Sequence, residues 1–278
     1  MRVSWSDIDG RGPSANVWKN VAPPDGAGFP ETSSGNPSHG FYDDFVAGSD
    51  TSLESGYILL QTATGTVLQI ASEQGSPGIR RLTSAADNDE AVIQLGNGLD
   101  IGPYVPLNKA LAFEARVRVN AAAIVAGDHG FFCGLWTGGA AGGAIANLMF
   151  AAGDTIYATA NLIGFQHLVG ESTALDAVYQ KTGLVKQDGA VNTDLDTAHT
   201  LVADTWVKLG FRFDSTSPRK LVWYVDGVEV CSIGETEVAA ATFPDAATDL
   251  MQPTIGARGV DATSALIDID WWAVAQLL

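Results

Sequence analysis

Two cysteines, four histidines and fifteen basic residues among 278 leave little material for several kinds of chemistry. Cys133 and Cys231 each sit in an apolar run that reads as a strand, where cysteine behaves as a small hydrophobe. In a reducing compartment the two are expected to stay unbridged. His39, His129, His167 and His199 lie far apart with no metal-ligand spacing, which argues against a zinc site. The shortage of Lys and Arg against 32 acidic residues gives a formal net charge of −17. Nucleic acid and anionic membrane surfaces are poor partners for such a chain. No window approaches the roughly 18 consecutive apolar residues needed to cross a bilayer. The opening MRVSWSDIDGRG has no charged-then-apolar signal pattern, so a product made in the cytoplasm without export is expected. Walker A, Gly-x-Gly-x-x-Gly and Gly-x-Ser-x-Gly motifs are all missing, which removes the usual sequence support for nucleotide, dinucleotide and serine-hydrolase sites. Helical periodicity is nearly absent as well, apart from short turns expected around Ala239 to Leu250.

What is present is strand material. Residues 1–40 hold five of the eleven prolines and six glycines, with Trp5, Trp18 and Phe29 among them, and read as an extended N-terminal arm. Large aromatics are costly to leave in water, so these three are candidate interface anchors. The arm either folds back over its own domain or docks on another subunit. From residue 41 to 278 the sequence turns into short runs rich in β-branched and aromatic residues, punctuated by Gly, Asn and Asp. Strands are expected at 57–61, 67–70, 91–95, 111–119, 131–136, 206–213, 220–225, 228–233, 254–258 and 265–274. In the run from Leu111 to Val119, Leu111, Phe113, Ala115, Val117 and Val119 alternate with Glu114, Arg116 and Arg118. Alternation of period two assigns the first set to the core and the second to solvent. The run from Trp206 to Phe213 repeats the pattern, with Lys208 and Arg212 on the expected solvent face. Asp226-Gly227 between two strands is a strong hairpin signal, because a type I′ turn needs positive φ at both central residues. Regularly punctuated strands without helices imply an all-β, antiparallel two-sheet sandwich or jelly roll.

The order of motifs carries a resemblance. Asp43-Asp44-Phe45 is followed by the Phe113–Val117 strand, Phe131–Trp136, Trp206–Phe213, the Asp226-Gly227 hairpin, Thr254–Arg258 and Ile267–Trp271. The sequence resembles the concanavalin A-like lectin/glucanase superfamily, which includes laminin G-like domains, and more narrowly the jelly-roll proteins of tailed-phage virions. The resemblance covers residues 41–278 and implies a concanavalin A-like jelly roll. It further implies a virion location and a structural role, most specifically a capsid decoration (cement) subunit. Partners would be capsid or other virion proteins and further copies of the chain in a homo-oligomer. A carbohydrate-binding module or adhesin on the same fold is the alternative.

Catalytic chemistry finds little support. Laminarinase-type relatives carry Glu-x-Asp-x-x-Glu on one strand, and that spacing does not occur here, so no catalytic residue is assigned and no enzyme is expected. Glu114 reads as a solvent-face ion-pair partner of its arginine neighbours. Asp268 and Asp270 share a strand face and could form half a calcium site, although a solvated face is the plainer reading and no cofactor is assigned. Asp87/Asp89 and Asp194/Asp196 lack the glycine and terminal glutamate of a calcium loop. Trp223/Tyr224 and Trp271/Trp272 must point to opposite sides of their strands. One member of each pair therefore needs a cover, and the arm, a protein interface or a bound glycan would each supply it.

Overall fold

The computed structural model describes residues 13–18, 38–43, 57–61, 66–70, 78–84, 89–95, 109–120, 129–137, 161–167, 173–181, 198–244, 251–259 and 265–277. Trp5, Phe29, Asp87, Asp194, Asp196, the 138–143 glycine cluster and most of the arm lie outside them. The strands are β1 (Ser38–Asp43), β2 (Tyr57–Gln61), β3 (Thr66–Ile70), β4 (Ile79–Ser84), β5 (Glu90–Leu95), β6 (Leu111–Val119), β7 (His129–Trp136) and β8 (Leu162–His167). They continue with β9 (Ala174–Gln180), β10 (His199–Thr200), β11 (Trp206–Asp214), β12 (Lys220–Val225), β13 (Val228–Ile233), β14 (Gln252–Gly259) and β15 (Ala265–Leu277). Among the described residues one helical turn, α1 (Glu235–Val238), precedes the stretch where turns were expected.

The strands form two antiparallel sheets. One runs β13-β12-β11-β6-β15-β4-β3, with β1 as its eighth strand, paired to the second half of β15; the other runs β10-β9-β8-β7-β14-β5-β2. The 111–119 alternation does what period two demands. Leu111, Phe113, Ala115 and Val117 are wholly buried between the sheets, as are Leu209, Phe211 and Phe213 of the neighbouring β11. Phe113 and Phe211 sit directly opposite in register, with ring centroids 5.2 Å apart and planes 21° apart. Such stacked pairs add about 0.5–1.5 kcal/mol beyond the area they bury.

From the eight-stranded sheet Trp223 reaches across the core, its Nε1 donating to the Gly164 carbonyl of β8 at 3.0 Å. Gly164 and Gly134 face each other across the β7–β8 pair. A Cβ on Gly134 would lie 2.2 Å from the Ile163 oxygen, and one on Gly164 would lie 2.3 Å from the Cys133 oxygen, so neither position admits a side chain. Neither Cys133 nor Cys231 forms a disulfide, and both are buried. Burial pushes the Cys133 thiol far above its ordinary range.

Strand β15 breaks its own alternation. Ile267 and Ile269 face the core, yet the next inward residues are Trp272 and Val274. A bulge between Ile269 and Trp271 absorbs the extra residue, so Trp271 joins the outer face while Trp272 stays in the core. The expectation that Lys208 and Arg212 stand in solvent needs correction. Lys208 is half-buried and the Arg212 side chain is only 11% exposed, because the outer face of this sheet is covered.

Candidate functional site

The outer face of the eight-stranded sheet holds most of the residues singled out from the sequence. Glu114 is not in solvent: it is 0% exposed, and its Oε2 accepts bonds from the Ser14 amide at 2.8 Å and the Trp18 indole Nε1 at 2.7 Å. Both donors belong to the arm. Trp18 and Val17 pack with Val222, Tyr224, Trp271 and Ala273 in an apolar cluster separate from the main core. Of the two destinations open to the arm, residues 13–18 therefore take the intramolecular one, and they cover Tyr224 and Trp271. Trp223 and Trp272, the other members of each aromatic pair, lie in the core.

Further along this face Asp268 accepts Arg81 at 2.6 Å and Arg118 at 2.6 Å, while Asp270 pairs with Arg116. Arg116 and Arg118 also sit over the Trp206 ring, at 4.5 and 4.7 Å from its centroid. Guanidinium groups hold both aspartates, so this pair does not fit a calcium ion, and no group of three His, Cys, Asp or Glu among the described residues is placed to hold a metal. The described histidine side chains lie on three separate strands. His167 donates from Nδ1 to the Ala174 carbonyl at 2.6 Å, and burial lowers its pKa.

The outer face of the seven-stranded sheet is different in kind, and sequence reasoning passed over it. Register places Gln94, Thr254, Gly134, Gly164 and Val178 side by side in one row. Val92, Gly256, Phe132, Gln166 and Asp176 form the next. Gln252, Trp136, Leu162 and Gln180 form a third. The two glycines add no side chain to this face, and amides with one indole stand around them. Gln94 donates from Nε2 to Thr254 Oγ1 at 2.9 Å, and that hydroxyl donates to the Gln252 carbonyl at 2.9 Å, which leaves the Gln94 Oε1 unused. Both side-chain amide atoms of Gln166 and the Trp136 Nε1 also have no hydrogen-bond partner among the described residues. These residues are nearly sealed from water, at 0% for Gln94, 1% for Gln166 and 6% for Trp136. A buried polar atom left unpaired costs about 1–3 kcal/mol, and native proteins carry few of them. The signal available in sequence was a set of glutamines recurring in apolar strands.

A two-sheet antiparallel sandwich of this kind has known counterparts. The chain superposes on an endo-1,3-β-glucanase from Streptomyces sioyaensis with a TM-score of 0.54 at 17% identity, over 89% of this chain and 99% of that one. Peanut lectin superposes with a TM-score of 0.53 at 12% identity, over 87% and 98%. This is the concanavalin A-like lectin/glucanase fold. A Shewanella oneidensis protein of unknown function shares the concanavalin A-like architecture too, with a TM-score of 0.55 at 16% identity over 87% of both chains. No family model matches the sequence, and no curated protein matches it.

Proposed function

We propose that this protein binds carbohydrate, without cleaving it, on the outer face of its seven-stranded sheet. The observation that carries this reading is the Gln166 amide, buried with neither its donor nor its acceptor used, on the same sheet face as the unused Gln94 Oε1 and Trp136 Nε1. Sugar hydroxyls both donate and accept, which is the complement an amide requires. The aromatic faces of Trp136 and Phe132 suit the apolar side of a pyranose ring. The lectin and glucanase neighbours make the reading plausible by analogy of fold.

The non-catalytic half of the proposal rests on spacing. Within the described strands, register assigns two carboxylates to this face, Asp176 on β9 and Glu90 on β5. They are four strand intervals apart, on the order of 19 Å at about 4.8 Å per interval. Glycoside hydrolysis needs its two carboxyl groups within roughly 5–9.5 Å.

Glycan-array screening followed by titration calorimetry tests the site. A glycan should bind, and Gln166→Ala should weaken it by about tenfold or more, the loss expected for one well-placed polar group. Silence across neutral and acidic glycans would overturn the proposal, and release of reducing ends would overturn its non-catalytic half. The capsid-decoration role implied by the phage resemblance is a separate proposal, and copurification with an assembled particle is its test.

A further inference from the structure

Residues 13–18 form a short strap across the outer face of the eight-stranded sheet. The Val17 and Trp18 amides donate to the Ser14 carbonyl at 3.0 and 3.3 Å, which closes the strap into a turn. Asn16 Nδ2 donates to the Gly227 carbonyl at 2.9 Å, and Arg212 donates to the Asn16 carbonyl. These bonds lie at the exposed rim. The buried hold is Glu114.

The surroundings of Glu114 are unusual for a carboxylate. Gly210 of β11 and Ala273 of β15 flank it in register, and Val17, Trp18 and Tyr224 belong to the apolar cluster around it. Its Oε2 takes both strap donors, and its Oε1 has no hydrogen-bond partner among the described residues. The charged groups on the neighbouring strands are committed elsewhere or act at a distance. Arg116 is paired with Asp270, Arg212 with Asp214, and Lys208 contributes its field without an ion pair to Glu114. An ionised carboxylate enclosed in this way is far more costly than a neutral carboxyl group.

We propose that Glu114 makes the strap an acid-closed cover, seated when the carboxyl is protonated and loosened when it ionises. Burial lifts the Glu114 carboxyl above its ordinary range, and the Ser14 and Trp18 donors and the Lys208 charge offset only part of that rise. Lifting the strap returns the carboxyl to water and to its ordinary value. The support that protonation lends to closure is therefore complete at acid pH below that ordinary value, and it is lost as the pH climbs through the higher closed-state value. Burial raises the Tyr224 phenol further above this range, which leaves Glu114 as the buried carboxyl in contact with the strap. The device acts on the sheet opposite the proposed glycan face and is independent of that reading.

Hydrogen exchange on the full chain, read by mass spectrometry and corrected for the intrinsic pH dependence of exchange, tests the cover directly. Between about pH 4.5 and pH 8, protection of the Ser14, Val17 and Trp18 amides should fall, by one decade for each unit by which closure raises the Glu114 pKa. Glu114→Gln should show the same protection at both pH values. Wild-type protection that does not change, or a drop that survives in Glu114→Gln, would overturn the proposal. If Glu114→Gln fails to fold, Trp18→Phe replaces it. Losing the Nε1 donor removes a bond that favours the ionised form, so the drop should move to higher pH, and an unmoved drop would overturn the proposal equally.

Discussion

Single side chains on the outer face of the eight-stranded sheet illustrate how burial changes what a charge is worth. Asp268 is 5% exposed at its side chain and holds two guanidinium groups, so it belongs with buried ion pairs and not with surface ones, whose median value is under about 1 kcal/mol. Removing one partner from such a cluster leaves uncompensated charge behind. Asp268→Asn is expected to lower stability by about 3 kcal/mol in chemical denaturation, with the slope of the transition unchanged. A loss below about 1 kcal/mol would mean that water already screens the cluster. The sequence assigned Asp268, Glu114 and the arginines to the correct face of their strands but not to the correct environment. Period two reports which side a residue faces, and it is silent on whether anything lies over that side.

At the scale of elements, the clearest legible feature is the β12–β13 hairpin. Asp226 has φ of 49° and Gly227 of 76°, the left-handed pair that the Asp-Gly dipeptide predicts. The structure adds a second constraint on the same residue, because a Cβ at Gly227 would lie 2.9 Å from the Ser14 Cβ of the strap. Gly227→Ala therefore meets both left-handed backbone strain and a collision. It is expected to cost about 1–2 kcal/mol from the backbone alone. A thermal melt would measure that loss, and faster exchange of the 13–18 amides would report the unseated strap. A melt unchanged from wild type would show that the turn relaxes at no cost.

All ten strands expected from composition and alternation are present, with ends shifted by a few residues. Five others were not expected, and each has a physical reason. Strand β4, Ile-Arg-Arg-Leu-Thr-Ser, carries two adjacent arginines, and Arg80 is nevertheless 2% exposed. Strands β8 and β9 interleave Gly, Gln and Asp with apolar residues because their outer face carries buried polar side chains. Strand β10 has only two residues, and β1 begins inside what reads as the arm. This set of polar side chains was illegible, since glutamines on four different strands come onto one face only through register.

For the molecule as a whole, 32 acidic against 15 basic residues leave −17 to be accommodated in one sandwich. Repulsion of that size opposes the compact state. Raising ionic strength from about 0.01 M to 0.15 M shortens the screening length from about 30 Å to about 8 Å. The melting temperature should then rise by a few degrees, the shift that about 1 kcal/mol produces in a domain of this size. Calorimetry at the two salt concentrations would check it. A fall would show that attraction within clusters such as Arg81–Asp268–Arg118 outweighs the net repulsion.

Strand β15 pairs with β6 along one edge and with β4 and β1 along the other, so residues 265–277 join the strands that lie to either side of them. During synthesis the chain emerges from its N-terminal end. Strands β1, β4 and β6 must therefore wait, unpaired on the edges that β15 will fill, until between 145 and 221 further residues have been made. At about 5–20 residues per second that wait lasts on the order of ten seconds or more, a period in which open edges invite association with other nascent chains. The strand that closes the sheet thus also sets the clock for its assembly, and a ribosome stalled before residue 265 would hold out a half-built sheet.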